Sequence, residues 1–196
     1  MRCAVLLALL ALAPISAFAA PAKPAAKPGA AAAPATAGPR HFGEFYVRCS
    51  SAKSVAPCDL YEERANKDTN QRVIGFSIGY MPSANRYIIQ VAVPLGIDIE
   101  KGVVITDDKL ATPVLPYRRC DPAGCYVEAA IDKSLLDLFS KMSRDAKVKV
   151  VAFNGVDSGK PYSFTFSFEG FGEALNDMVA ENKAKASSPD AATDAR

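Results

Sequence analysis

The sequence predicts a mainly β domain, an antiparallel β-sandwich with two short helices, stapled by two local disulfides. Three observations point there. Short β-like runs follow one another, separated by turn residues. One run, Tyr162-Ser163-Phe164-Thr165-Phe166-Ser167-Phe168, alternates aromatic and small hydroxyl residues with the period of a strand. Four cysteines, Cys49, Cys58, Cys120 and Cys125, form two close pairs, nine and five residues apart, behind an export leader.

The leader comprises residues 1–19. Met1-Arg2 supplies the charge, Cys3 to Leu12 a short apolar core, and Ala17-Phe18-Ala19 a small-x-small cleavage site, the pattern of a secretory signal peptide. The apolar run is too short for a permanent membrane span. Residues 20–40 are almost entirely Ala, Pro, Gly and Lys and read as a disordered tether, because they lack apolar side chains large enough to offset the entropy of ordering. Residues 184–196 read as a disordered tail. The segment 41–183 remains as one domain with a core of its own.

Within that domain, Phe45–Cys49 and Cys58–Glu63 flank a polar loop. Arg72–Tyr80 and Arg86–Val93 flank Met81-Pro82-Ser83-Ala84-Asn85, a hairpin connection. Val103–Thr106 follows Lys101-Gly102. Val114–Arg119 leads into the second cysteine loop, and Tyr126–Ile131 leaves it. Asp132 or Ser134 caps a helix with an apolar stripe of Leu135, Leu136, Leu138, Phe139 and Met142. Lys147–Phe153 is the expected partner of the Tyr162–Phe168 strand, joined through Asn154-Gly155 and Asp157-Ser158-Gly159. A second helix begins near Phe171, with Phe171, Ala174, Leu175, Met178 and Val179 on one face. Many short strands punctuated by two helices define the sandwich class.

Charge and composition exclude several functions. The whole chain carries +2, yet residues 41–183 hold 17 Lys plus Arg against 19 Asp plus Glu, a net of −2. No basic stripe for nucleic acid is present in the sequence, and the tether's Lys23, Lys27 and Arg40 read as solvated charges. The single histidine, His41, sits where tether meets domain, a poor place to hold a general base. Asp107-Asp108 and Glu62-Glu63 are sequence neighbours, which a strand would point to opposite faces, and they read as solvated. No metal or cofactor is expected, since zinc sites draw on Cys and His and an exported chain oxidises its thiols.

The cysteines therefore read as disulfides. Of the three connectivities four cysteines allow, the local one (Cys49–Cys58, Cys120–Cys125) is favoured, each pair being joined by a short polar loop. Each clip would contribute about 2–3 kcal/mol by loop-entropy arguments. Thiol oxidoreductases leave two residues between their cysteines at a helix start, whereas four separate Cys120 from Cys125 between strand-like segments. The local basic feature is Arg118-Arg119, bracketed by Tyr117 and Tyr126, on a loop stiffened by its disulfide. These four residues are the candidate partner contact.

Phe45-x-Val47-x-Cys49, Val93-Pro94-Leu95-Gly96-Ile97 with Lys101-Gly102, Pro116-Tyr117-x-x-Cys120-x-x-x-Gly124-Cys125 and Glu169-Gly170-Phe171-x-x-Ala174-Leu175 occur in this order. Together they resemble the invasion-associated locus B family of bacterial exported proteins, from about Phe42 to Met178. The family usually carries a tryptophan ahead of its first cysteine. This chain has none, and Phe45 or Tyr46 fills that packing position. The resemblance implies a periplasmic or surface-associated β-sandwich protein and supplies no catalytic residues. The resulting expectation is a non-enzymatic envelope protein whose partner is an envelope or host-surface protein. The alternative is an envelope enzyme or thiol-redox protein using Cys120 and Cys125.

Overall fold

The computed structural model describes residues 38–50, 54–153 and 156–187. The expected signal peptide with Cys3, most of the expected tether, the expected Asn154-Gly155 turn and the last residues of the expected tail lie outside the described residues.

Ten strands and two helices follow in the order β1 (Arg40–Phe42), β2 (Phe45–Cys49), β3 (Cys58–Ala65), β4 (Arg72–Met81), β5 (Arg86–Val93), β6 (Val104–Thr106), β7 (Arg119–Asp121), β8 (Gly124–Ile131), α1 (Lys133–Phe139), β9 (Ala146–Val151), β10 (Pro161–Phe166) and α2 (Phe171–Ala186). They build a seven-stranded sheet ordered β1-β2-β3-β4-β5-β8-β7 and a three-stranded sheet ordered β10-β9-β6. Every strand pairing is antiparallel. Period-two alternation decides which face is dry. Phe45, Leu60, Phe76, Val91 and Val127 of the large sheet meet Val148, Val150 and Phe166 of the small one in one core.

Phenylalanine fills the centre. Phe45 packs its ring 5.5–6.1 Å from those of Phe76, Phe166, Phe168 and Phe171. Phe139 of α1 stacks on Phe168 at 5.2 Å and meets Phe76 edge-on at 5.4 Å. These separations suit the ring quadrupoles. Of the two aromatics ahead of the first cysteine, Phe45 is fully buried and Tyr46 only partly so.

Both helices start where the sequence places them. The Asp132 carboxylate caps α1 by accepting the Leu135 N–H at 3.0 Å. Helix α2 enters from Gly170 at φ +83°, where an added Cβ would stand 2.0 Å from the Phe42 carbonyl oxygen, so only glycine fits. The helix then runs to Ala186, three residues beyond the expected domain end. Its stripe continues through Asn182, fully buried, whose Oδ1 accepts the Cys58 N–H at 3.0 Å and whose Nδ2 donates to the Cys58 carbonyl at 2.8 Å. The amide thereby takes the place of a neighbouring strand.

Four expectations change. Arg40 is not a tether charge, because β1 pairs with β2 and carries its guanidinium to Asp177 at 2.6 Å and Glu181 at 3.1 Å on α2. The Tyr162–Phe168 run buries only one end of its ring face. Phe166 is fully buried, but Tyr162 is 43% exposed, because β10 is the edge of a narrow sheet and its start overhangs the core. Of the β-like run Val114–Arg119 only Arg119 joins a named strand, as the first residue of β7. Pro113 and Pro116 cannot donate to a ladder, and Leu115 instead exchanges both backbone hydrogen bonds with Val103, at 2.8 and 2.9 Å. Glu62 is not solvated. It is 2% exposed, on the same face of β3 as Leu60.

Candidate functional site at the Cys120–Cys125 hairpin

Both disulfides join residues directly opposite each other in adjacent strands, Cys49 to Cys58 across β2–β3 and Cys120 to Cys125 across β7–β8. The second clip closes a tight turn. The Asp121 carboxylate accepts the Ala123 N–H at 2.8 Å, and Gly124 at φ +145° lies so close to the Val93 carbonyl that a Cβ would stand 2.4 Å from its oxygen. Disulfide, Asx turn and glycine fix this corner of the large sheet.

Two guanidiniums approach the Tyr126 ring. Arg119 stands 4.0 Å from the ring centroid and Arg72 5.8 Å from it. Arg72 reaches across from β4, over Gly75 and Ala92, and donates to the Tyr126 hydroxyl at 3.3 Å and the Ala123 carbonyl at 3.4 Å. Gly75 has no side chain because Arg72 occupies that space, its Cδ 3.3 Å from where a Cβ would be. Arg119 donates to Glu128 at 3.1 Å and Asp121 at 2.5 Å, and Gln90 also donates to Glu128 at 3.0 Å. The Ala123 N–H, with Arg119 and Tyr126 beside it, holds the Asp121 carboxyl below the usual carboxylate range.

The candidate contact residues therefore differ in availability. Tyr126 is only 6% exposed. Tyr117 is half-buried against the core, its hydroxyl buried without a partner, and burial raises its pKa. Arg119 is exposed but already neutralised by two carboxylates. Arg118 is exposed, its backbone N–H donating to the Tyr126 carbonyl at 2.7 Å, and its guanidinium has no partner among the described residues. It is the available charge of the patch. Arg72 gave no local signal in the sequence, since its partners lie 51 and 54 residues away.

The remaining candidate groups are structurally committed. His41 lies on β1 with its ring 5.4 Å from that of Tyr46. A Glu181 oxygen lies within 4.8 Å of the Cys49 and Cys58 sulfurs, but sulfurs bonded to each other are not thiolates and hold no metal. No helix among the described residues is long and apolar enough to cross a membrane.

Two antiparallel sheets around one core, with a disulfide at each of two cross-strand positions, define a disulfide-clipped, mainly β protein. The family model described as "Invasion associated locus B (IalB) protein" matches residues 46–179, and the chain belongs to that family. A solved relative, the invasion associated protein b of Bartonella henselae, superposes with a TM-score of 0.62 at 23% identity, over 74% of this chain and 98% of that one. At that identity the likeness establishes the fold. Comparison with curated protein sequences finds no match.

Proposed function

We propose that this chain is a non-enzymatic, exported binding protein of the cell envelope, periplasmic or surface-associated, which contacts an anionic protein partner through the Cys120–Cys125 hairpin. The observation that carries this reading is Arg118, a free guanidinium on a corner that the disulfide and Arg72 hold rigid. A pre-ordered loop loses little entropy on binding. Supporting the non-enzymatic part, the four domain cysteines are joined in pairs, and the single histidine is packed on a tyrosine at a sheet edge. The invasion role in the family's name is not carried to this chain.

The test compares the mature wild-type domain with its Arg118→Glu variant as bait on envelope extract. Arg118 is preferable to Arg119, whose reversal would place a third carboxylate beside Asp121 and Glu128. Stability should stay within about 0.5 kcal/mol, as for other surface changes. A specific acidic partner retained by wild type should be lost. Equal retention by both proteins would reduce the hairpin to a structural clip, and exchange of the Cys120–Cys125 disulfide with a dithiol substrate would favour a redox protein instead.

A further inference from the structure

We propose that the large sheet accepts an extended peptide along the open edge of β8. The eight residues of β8 are paired very unequally. β5 covers Cys125 to Ile131 on one side, whereas β7 on the other covers only Gly124 to Tyr126. The Tyr126 carbonyl is the last to be satisfied on that side, by the Arg118 N–H. Alternate residues of an antiparallel strand direct their backbone groups to alternate edges. Glu128 and Ala130 therefore present N–H and C=O groups the same way as Tyr126, past the point where β7 has ended. Nothing among the described residues bonds to them there.

The edge is open for a reason already visible in the chain. Pro113 and Pro116 keep the preceding segment off β8, and Leu115 is spent on Val103. Natural edges are normally blunted by lysine, proline or a bulge. The residues concerned here are Glu128 and Ala130, the β5–β8 register is regular, and Ala130 is exposed with only a methyl group beside the approach.

A groove of about 860 Å³ runs beside this edge, lined by Leu115, Ala129, Leu135 and Leu138, with Arg86 among the residues at its Ile131 end. Three features of an occupant follow. Free backbone groups in strand geometry select an extended chain. The apolar lining selects apolar side chains at every second position. Arg86 is exposed and has no ion pair among the described residues, while the Asp132 carboxylate at the same end is engaged by the Ser134 hydroxyl and the Leu135 N–H, so Arg86 selects a carboxylate there. From Val127 to Ile131 the edge spans about 13–14 Å, room for a segment of about five residues. This surface uses none of the hairpin's side chains and stands apart from the function proposed above.

The experiment selects displayed random heptapeptides on the mature protein and titrates the enriched sequences by fluorescence anisotropy. Enriched peptides should lack proline, alternate apolar residues and carry an Asp, Glu or free carboxylate at one end. Ala130→Pro removes a donor that faces only the open edge and leaves the β5 ladder intact, so affinity should fall at least tenfold. Ala130→Ser should stay within twofold. N-methylation of alternate peptide amides should abolish binding to the unaltered protein, which keeps the test decisive should Ala130→Pro fold poorly. An unenriched pool, or undiminished binding of N-methylated peptides, overturns the proposal. A dimer in sedimentation that Ala130→Pro dissolves would assign the edge to a second copy and also overturn it.

Discussion

Replacing Glu62 by glutamine should stabilise the protein at neutral pH and flatten its pH dependence. Glu62 sits on the dry face of β3, with an Arg64 nitrogen 2.6 Å from its carboxylate, and Arg64 also reaches Glu44 at 3.1 Å. Both carboxylate oxygens are buried, and the Arg64 contact and the Ser167 backbone offset only part of the cost of that burial. Burial, opposed by Arg64 and aided by Glu44, pushes the carboxyl up from 4.5 to about 8. A folded-state value above the unfolded one means that the folded protein holds a proton the unfolded chain releases. Stability is full below about pH 4.5 and is lost as pH rises toward 8. At 1.36 kcal/mol per pKa unit, the loss between pH 5 and pH 7 is about 2–3 kcal/mol. Asp107, Asp121 and Asp132 are shifted downward and act in the opposite sense, at pH values below this window. Urea melts at pH 5, 7 and 8 provide the assay. Glu62→Gln should match wild type near pH 5 and exceed it by about 2 kcal/mol or more at pH 7. A wild-type stability that is flat or rises from pH 5 to 8, or a glutamine variant with the wild-type slope, would refute the reasoning.

Other predictions concern packing. Phe166→Ala empties a fully buried site whose ring contacts Phe76 and Phe168 at 5.4 and 5.3 Å, and should cost about 3–5 kcal/mol in denaturant melts. Asn182→Ala orphans both backbone groups of Cys58 and should cost about 2–4 kcal/mol by the same measurement. Gly170→Ala forces a Cβ onto the Phe42 carbonyl at positive φ. It should cost about 2–4 kcal/mol and speed hydrogen exchange of the Glu44 amide, which donates to the Glu169 carbonyl.

Residues whose environment is set by near neighbours were readable in the sequence. Tyr162–Phe168 announced its strand, Asp132 its cap, and the two cysteine pairs their hairpins. Glu62 was misread although a signal existed, since strand parity places it with Cys58 and Leu60, both buried. Asn182 likewise continues the stripe Phe171, Ala174, Met178 at helical spacing, but a polar residue there looks like the end of a stripe. Arg72 left no trace, because its role depends on a strand order that brings β4 within reach of β8. The open edge of β8 is a property of where prolines divert a different segment, so it emerges only after that path is known.

The clasp between Asn182 and Cys58 has a consequence for the order of events during synthesis. The two residues are 124 positions apart, so at about 5–20 residues per second the ribosome delivers the second about 6–25 s after the first. For that interval the β2–β3 segment has no helix to seal it. Cys49 and Cys58, by contrast, are both present from the start, only nine positions apart. Bringing Cys49 and Cys58 together thus needs nothing from α2, whereas the burial of Cys58 waits on a segment made last.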